Sequence, residues 1–251
     1  MYATILSDAV GRRGYARRMT AATASRTSAD QTDVLTLLGL VGHLELVAFT
    51  RLAADSALAP TTDQRLRLMR FSAGAVDRLD QIFARITDLG GYPDVELEQF
   101  ARALDDFDAR TPPGSWWERM LKAYVGYGVA DDFCKAAAAG LDPQTRDLVM
   151  DVLDGGSHAD LTVATLAAAA AGDDVLTSRL ALWGRRLVGE ALGVVQTLLV
   201  TQPGLARLAL EGPDGTTGPL EPAAAAEATA RLFGRLTAEH TRRMGRLGLT
   251  A

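Results

Sequence analysis

The stretch from Thr32 to about Ala57 is apolar on almost every side of a helix. Val34, Leu35, Leu37, Leu38, Leu40, Val41, Leu44, Leu46, Val47, Phe49 and Leu52 all fall within it. A helix at a protein surface buries one stripe, whereas a helix apolar all round must be enclosed by partners. The rest of the chain supplies them. Pro60 followed by Thr-Thr-Asp breaks the first helix and caps a second, over about 63–89, which Gly90-Gly91 and Pro93 end. Helices are expected at about 94–110, 115–139, 143–171, 174–201 and 222–247. The stretch 211-EGPDGTTGPLE-221 is a loop. In the last helix Leu232, Phe233, Leu236, His240, Met244 and Leu247 keep to one face. No useful alternating strand pattern and no internal repeat is present, so the fold class is all-α, a bundle of long helices with short connections.

Residues 1–31 read as a basic, partly flexible N-terminal arm carrying Arg12, Arg13, Arg17 and Arg18, and residues 32–251 as one helical domain. The arm has no apolar core segment behind its arginines, which argues against a signal peptide. No uninterrupted apolar run reaches the ~18 residues of a membrane span. The single cysteine, Cys134, excludes an internal disulfide and fits a reducing, cytoplasmic setting. With a net charge of −5 the chain is not built for broad phosphate-backbone binding. The arm and 242-RRMGR-246 read as solvated surface, and nucleic acid is not the favoured partner. A homodimer through an exposed helix face is compatible with the pattern.

Phosphate-binding loops, a nucleophile elbow and an H-E-x-x-H motif are absent. Carboxylates on apolar helix faces are more informative. Glu45 has Val41, Ala48, Phe49 and Leu52 around it. An unpaired buried carboxylate is costly, so Glu45 needs a partner: an arginine, a tyrosine or a metal. Asp132, with Gly128 and Val129 behind it and Ala136 ahead, is expected to face the bundle interior, and Asp131 to be solvated. Glu190 lies on a largely apolar face, and an ion pair with Arg186 or another helix accounts for it. Di-iron bundles draw a Glu from each of two helices and a Glu-x-x-His from each of two others. The residues three before His43, His158 and His240 are Leu40, Gly155 and Thr237, so no carboxylate-x-x-His exists.

The segments 37-LLGLVGHLELVAFTRLAADSALAP-60, 122-KAYVGYGVADDF-133, 179-RLALWGRRLVGEAL-192 and 236-LTAEHTRRMGRLGL-249 resemble actinobacterial ferritin-like proteins related to the tRNA hydroxylase of 2-methylthio-N6-isopentenyladenosine. The resemblance spans about residues 32–249. It implies a ferritin-like four-helix bundle core with additional flanking helices and, in active relatives, a non-haem di-iron site that activates O2.

Carried over position by position, the implied ligand set is degenerate. Glu45, Asp132 and His158 match a first-helix glutamate, a third-helix carboxylate and a fourth-helix histidine. The second-helix Glu-x-x-His falls on Ser72 and Ala75, the carboxylate before His158 on Gly155, and a further acidic position on Tyr127.

Three ligands hold two irons poorly. The expectation is therefore a divergent member without its di-iron centre and without a cofactor, a binding scaffold or metal-free enzyme for a small molecule. In the latter case Glu45, Asp132 and His158 would act as acid–base groups, with a raised histidine pKa. Ser72, Ala75, Tyr127, Gly155 and Glu190 would border the substrate pocket, and Tyr124, Phe71 and Trp183 could line it. The competing expectation is a working iron oxygenase acting on a tRNA base or small molecule, with Glu45, Asp132 and His158 as metal ligands.

Overall fold

The computed structural model describes the backbone of residues 3–154, 156–210 and 221–251, and the side chains of residues 31–154, 158–210 and 221–251. The expected basic arm, Gly155 and most of the 211–221 loop lie outside the described side chains. Among the described residues every regular element is a helix. The first two, α1 (Ala3–Leu58) and α2 (Thr62–Asp88), form the most extensive helix pair. Two short helices follow, α3 (Pro93–Glu98) and α4 (Asp105–Arg110). Next, α5 (Trp116–Leu121) runs through a π-helical turn at Lys122–Gly126 into α6 (Tyr127–Ala138). The chain ends with α7 (Pro143–Val152), α8 (Gly156–Ala170), α9 (Asp174–Thr201), α10 (Pro203–Leu210) and α11 (Pro222–Arg246).

The apolar helix is central, as its sequence requires. Leu37, Leu38 and Val41 are fully buried, and α1 touches α2, α3, α6 and α10. By length and hydropathy the segment Gln31–Leu58 would also suit a membrane span, but 61% of its most apolar window is buried against other helices. Its hydropathy is that of a core helix. Gly39 is bare where α3 crosses: a Cβ there would collide with the carbonyl of Glu96. On the far side α6 packs against α1, α7, α9, α10 and α11, with Val129 and Phe133 fully buried.

The expected N-cap at Thr61 is present, its side chain accepting from the Gln64 amide at 3.2 Å. Two expected helices are broken. Residues 94–110 divide into α3 and α4, joined by tight turns in which Phe100, Ala101 and Ala103 donate to carbonyls three residues back. Leu97, Phe100, Leu104 and Phe107 still bury one face, so packing replaces the regular hydrogen-bond ladder. Residues 143–171 divide at Leu153-Asp154, beside the glycine pair; each glycine costs about 1 kcal/mol in a helix interior. The helix α10, after Pro203, was not expected.

Candidate functional site

Side chains from α1, α2, α6 and α8 meet around a cavity of about 120 Å³ near the middle of the bundle. Its polar lining is Glu45 and Arg51 from α1, Arg78 from α2, Tyr127 and Asp131 from α6, and His158 from α8, with Asp154 at the break before α8. Residues 45, 48 and 51 are each three apart, so Glu45 and Arg51 lie along one side of α1 with only Ala48 between them.

Glu45 is 5% exposed. Arg78 donates from Nε to its Oε2 at 3.0 Å, and the Nη2 of the same guanidinium lies 2.8 Å from that oxygen in an ion pair. Burial nevertheless raises its pKa, because desolvation outweighs the help from Arg78 and Arg51. The arginine partner considered from sequence is therefore the one present.

Asp132 does not face this cavity. Arg243 of α11 grips it through Nη1 to Oδ2 at 2.6 Å and Nη2 to Oδ1 at 2.7 Å. For Arg243, burial opposes the charge but the bond to Asp132 prevails, and its pKa is raised. The small residue one turn back explains the misreading. Gly128 leaves room not for the bundle centre but for this guanidinium, and a Cβ there would come within 2.8 Å of its central carbon. The carboxylate that α6 places in the cavity is Asp131, expected to be solvated; burial pushes it up to about 7 against the opposing charges of Arg243 and Lys135.

His158 reaches the cavity and meets Phe71 edge to face, ring centroids 5.5 Å apart. Its Nε2 is buried and without a hydrogen-bond partner. The expected raised pKa is reversed: burial, then the charges of Arg51 and Arg78, lower it to about 3. The ring is neutral at pH 7. Tyr127 lies under the Arg51 guanidinium, 4.5 Å from ring centre to Cζ, and donates to Asp108 at 2.8 Å. Burial raises its pKa first of all, so the phenol stays protonated.

The other predicted pocket residues divide. Tyr127 and Phe71 line the cavity, while Tyr124 lines an adjoining cleft that also borders Asp131 and His158. Ser72 is buried and spent on the Phe49 carbonyl at 2.9 Å, Ala75 is fully buried, and neither lines the cavity. Gly155 lies outside the described residues. Trp183 donates to the Glu118 carbonyl instead. Glu190 pairs with Arg110 of α4 at 3.4 Å and borders a different cleft. Sequence reasoning missed Asp131, Arg51 and Arg78. The arginines had a signal: Arg78 stands three residues beyond Ala75, and Arg51 three beyond Ala48, each on the same helix stripe as a candidate site position.

A family model described as "ferritin-like domain, actinomycetes" matches residues 29–212, well over half of the chain. The chain belongs to this family of actinomycete ferritin-like domains. No curated protein matches the sequence. A ferritin-like fold implies iron, and the residues of this member can be tested against it. Among the described residues no three His, Cys, Asp or Glu side chains are grouped so as to hold a metal ion. Two guanidiniums, Arg51 and Arg78, line the space, and one is committed to Glu45. Cations beside the remaining donors oppose a further divalent charge. The donor set does not fit a di-iron centre. It leaves a neutral imidazole, a carboxyl group able to exchange a proton near pH 7 and two fixed positive charges.

Proposed function

We propose that this ferritin-like protein works without a di-iron centre, as a scaffold that binds a small molecule in and beside the bundle centre. The observation that carries this reading is the Glu45–Arg78 pair. The first-helix glutamate, which by resemblance would be an iron ligand, is neutralised by an arginine from the helix where a Glu-x-x-His would stand. Arg51 adds a second cation to the same cavity. In this reading the positive charge that a metal supplies in related bundles has been taken over by side chains of the chain itself. Asp131 is the group best suited to move a proton, since its shift to about 7 lets it serve as acid or base at neutral pH. His158, neutral at that pH, offers a hydrogen bond rather than a charge.

The resemblance of its sequence segments to relatives of a tRNA hydroxylase gives the competing reading, an iron oxygenase. It needs ligands that Ser72 and Ala75 do not supply. The test is metal analysis of protein produced in iron-rich medium, together with the near-ultraviolet absorption of oxo-bridged iron. Iron well below one atom per chain, with a helical fold intact, is the expected result. Two irons per chain and oxo-bridge absorption would overturn the proposal in favour of the oxygenase.

A further inference from the structure

We infer that the larger cleft on the other side of Arg51 is a binding site for a monocarboxylate with an apolar body, anchored by the Arg51 guanidinium. This names a ligand class for the small-molecule reading above and rests on that reading. The cleft, about 470 Å³, lies between α1 and the segment from α4 to α6. A volume of that size is typical of small-molecule sites.

Its charges are accounted for one by one. Arg119 pairs with Asp55 at 3.1 Å and Lys122 with Asp108 at 2.6 Å. Arg51 is the remaining lining cation, and its Nε and Nη1 are buried with no hydrogen-bond partner. Stacking on Tyr127 covers one face of the guanidinium, but its N–H groups point outward in the plane of the group and are left unsatisfied by a stack. A guanidinium without a paired carboxylate is a natural counter-charge for a carboxylate ligand.

The charge balance selects the ligand. Among the side chains lining the cleft, Arg51 is the cation without a carboxylate paired to it there, which favours a monoanion, and Asp55 and Asp108 in the wall disfavour a dianion such as phosphate. Leu46, Val47 and Pro113 give the site an apolar wall, with Leu46 44% exposed.

The test uses the full chain treated with chelator, and hexanoate as the probe, followed by calorimetry and thermal melting. Hexan-1-ol carries the tail without the charge and inorganic phosphate the charge without the tail. Saturable hexanoate binding with a raised Tm is expected, while neither control matches it. Arg51→Met should weaken hexanoate by roughly tenfold or more, as loss of a charge-assisted pair does. Should that variant fail to fold, Ala54→Phe, at an exposed position of the wall, should also weaken binding while keeping Arg51. No saturable hexanoate binding, equal binding of phosphate, or unchanged affinity in the variants would overturn the inference. Metal content is measured separately, so iron found in the centre would overturn the metal-free reading and leave this one standing.

Discussion

Arg243 on α11 holds Asp132 on α6 in a two-pronged pair, with bonds of 2.6 and 2.7 Å lying over the bare backbone of Gly128. Both side chains are largely buried, 17% and 13% exposed. Arg243→Met strands the carboxylate and should cost about 2–4 kcal/mol, since breaking one half of a buried pair leaves an uncompensated charge. Gly128→Ala keeps both partners but displaces the guanidinium, and should cost about 1–3 kcal/mol as overpacking does. Urea denaturation followed by circular dichroism measures both. Wild-type stability in Arg243→Met would show that the pair is ornamental.

Asp131 and His158 border one cavity with opposite shifts, and their effects on stability oppose each other. Asp131 moves from 3.8 to about 7, so the folded chain keeps a proton that the unfolded chain has released. Its burden is absent below about pH 4, grows to pH 7 and is full above. His158 moves from 6.5 to about 3, so the unfolded chain takes a proton that the folded chain refuses. Its burden is absent above pH 6.5 and grows as pH falls to 3. Glu45, also raised, acts in the direction of Asp131. Relative to wild type, Asp131→Asn should therefore gain stability as pH rises from 4 to 7. His158→Gln should gain as pH falls from 6.5 to 4. Thermal melts across that range check both; parallel curves for the two variants would contradict the shared-cavity electrostatics.

Arg78→Met should leave Glu45 buried without its donor. Its pKa, already raised, should rise further, with a stability loss on the order of 2–3 kcal/mol near neutral pH. Carbon-detected NMR titration of the Glu45 carboxyl reads the shift directly. An unshifted carboxyl would mean that Arg78 is not its main partner.

Glu190 provides the contrast. Its pair with Arg110 is long, at 3.4 Å, and Arg110 is 62% exposed. Glu190→Gln should change stability by less than about 1 kcal/mol and leave the titration of Asp131 untouched. A large effect on either would tie that cleft to the centre.

The helical class, the central position of α1 and the burial of Glu45 with some partner were legible in the sequence, because each follows from a local pattern or a solvation cost. The cavity's composition was less so. Apolar and small neighbours mark a face as covered but do not say by what. At Asp132 the cover is an arginine 111 positions away in the chain, and at Asp131 it is the bundle centre. The sign of the His158 shift comes first from burial and then from two arginines on other helices, Arg51 and Arg78, and inferring a carboxylate neighbourhood from a metal-site resemblance gave the wrong sign. The breaks inside 94–110 and 143–171 reflect packing and a glycine pair that periodicity read through.

In the proposed function, arginine side chains rather than iron occupy the charge position at the bundle centre. Crystals grown with excess ferrous iron under reducing conditions, with diffraction recorded on both sides of the iron absorption edge, test it at the atoms concerned. The expected map has Arg78 on Glu45 and no anomalous peak between Glu45, Asp131 and His158. A strong anomalous peak there, with Arg78 swung away from Glu45, would contradict the claim.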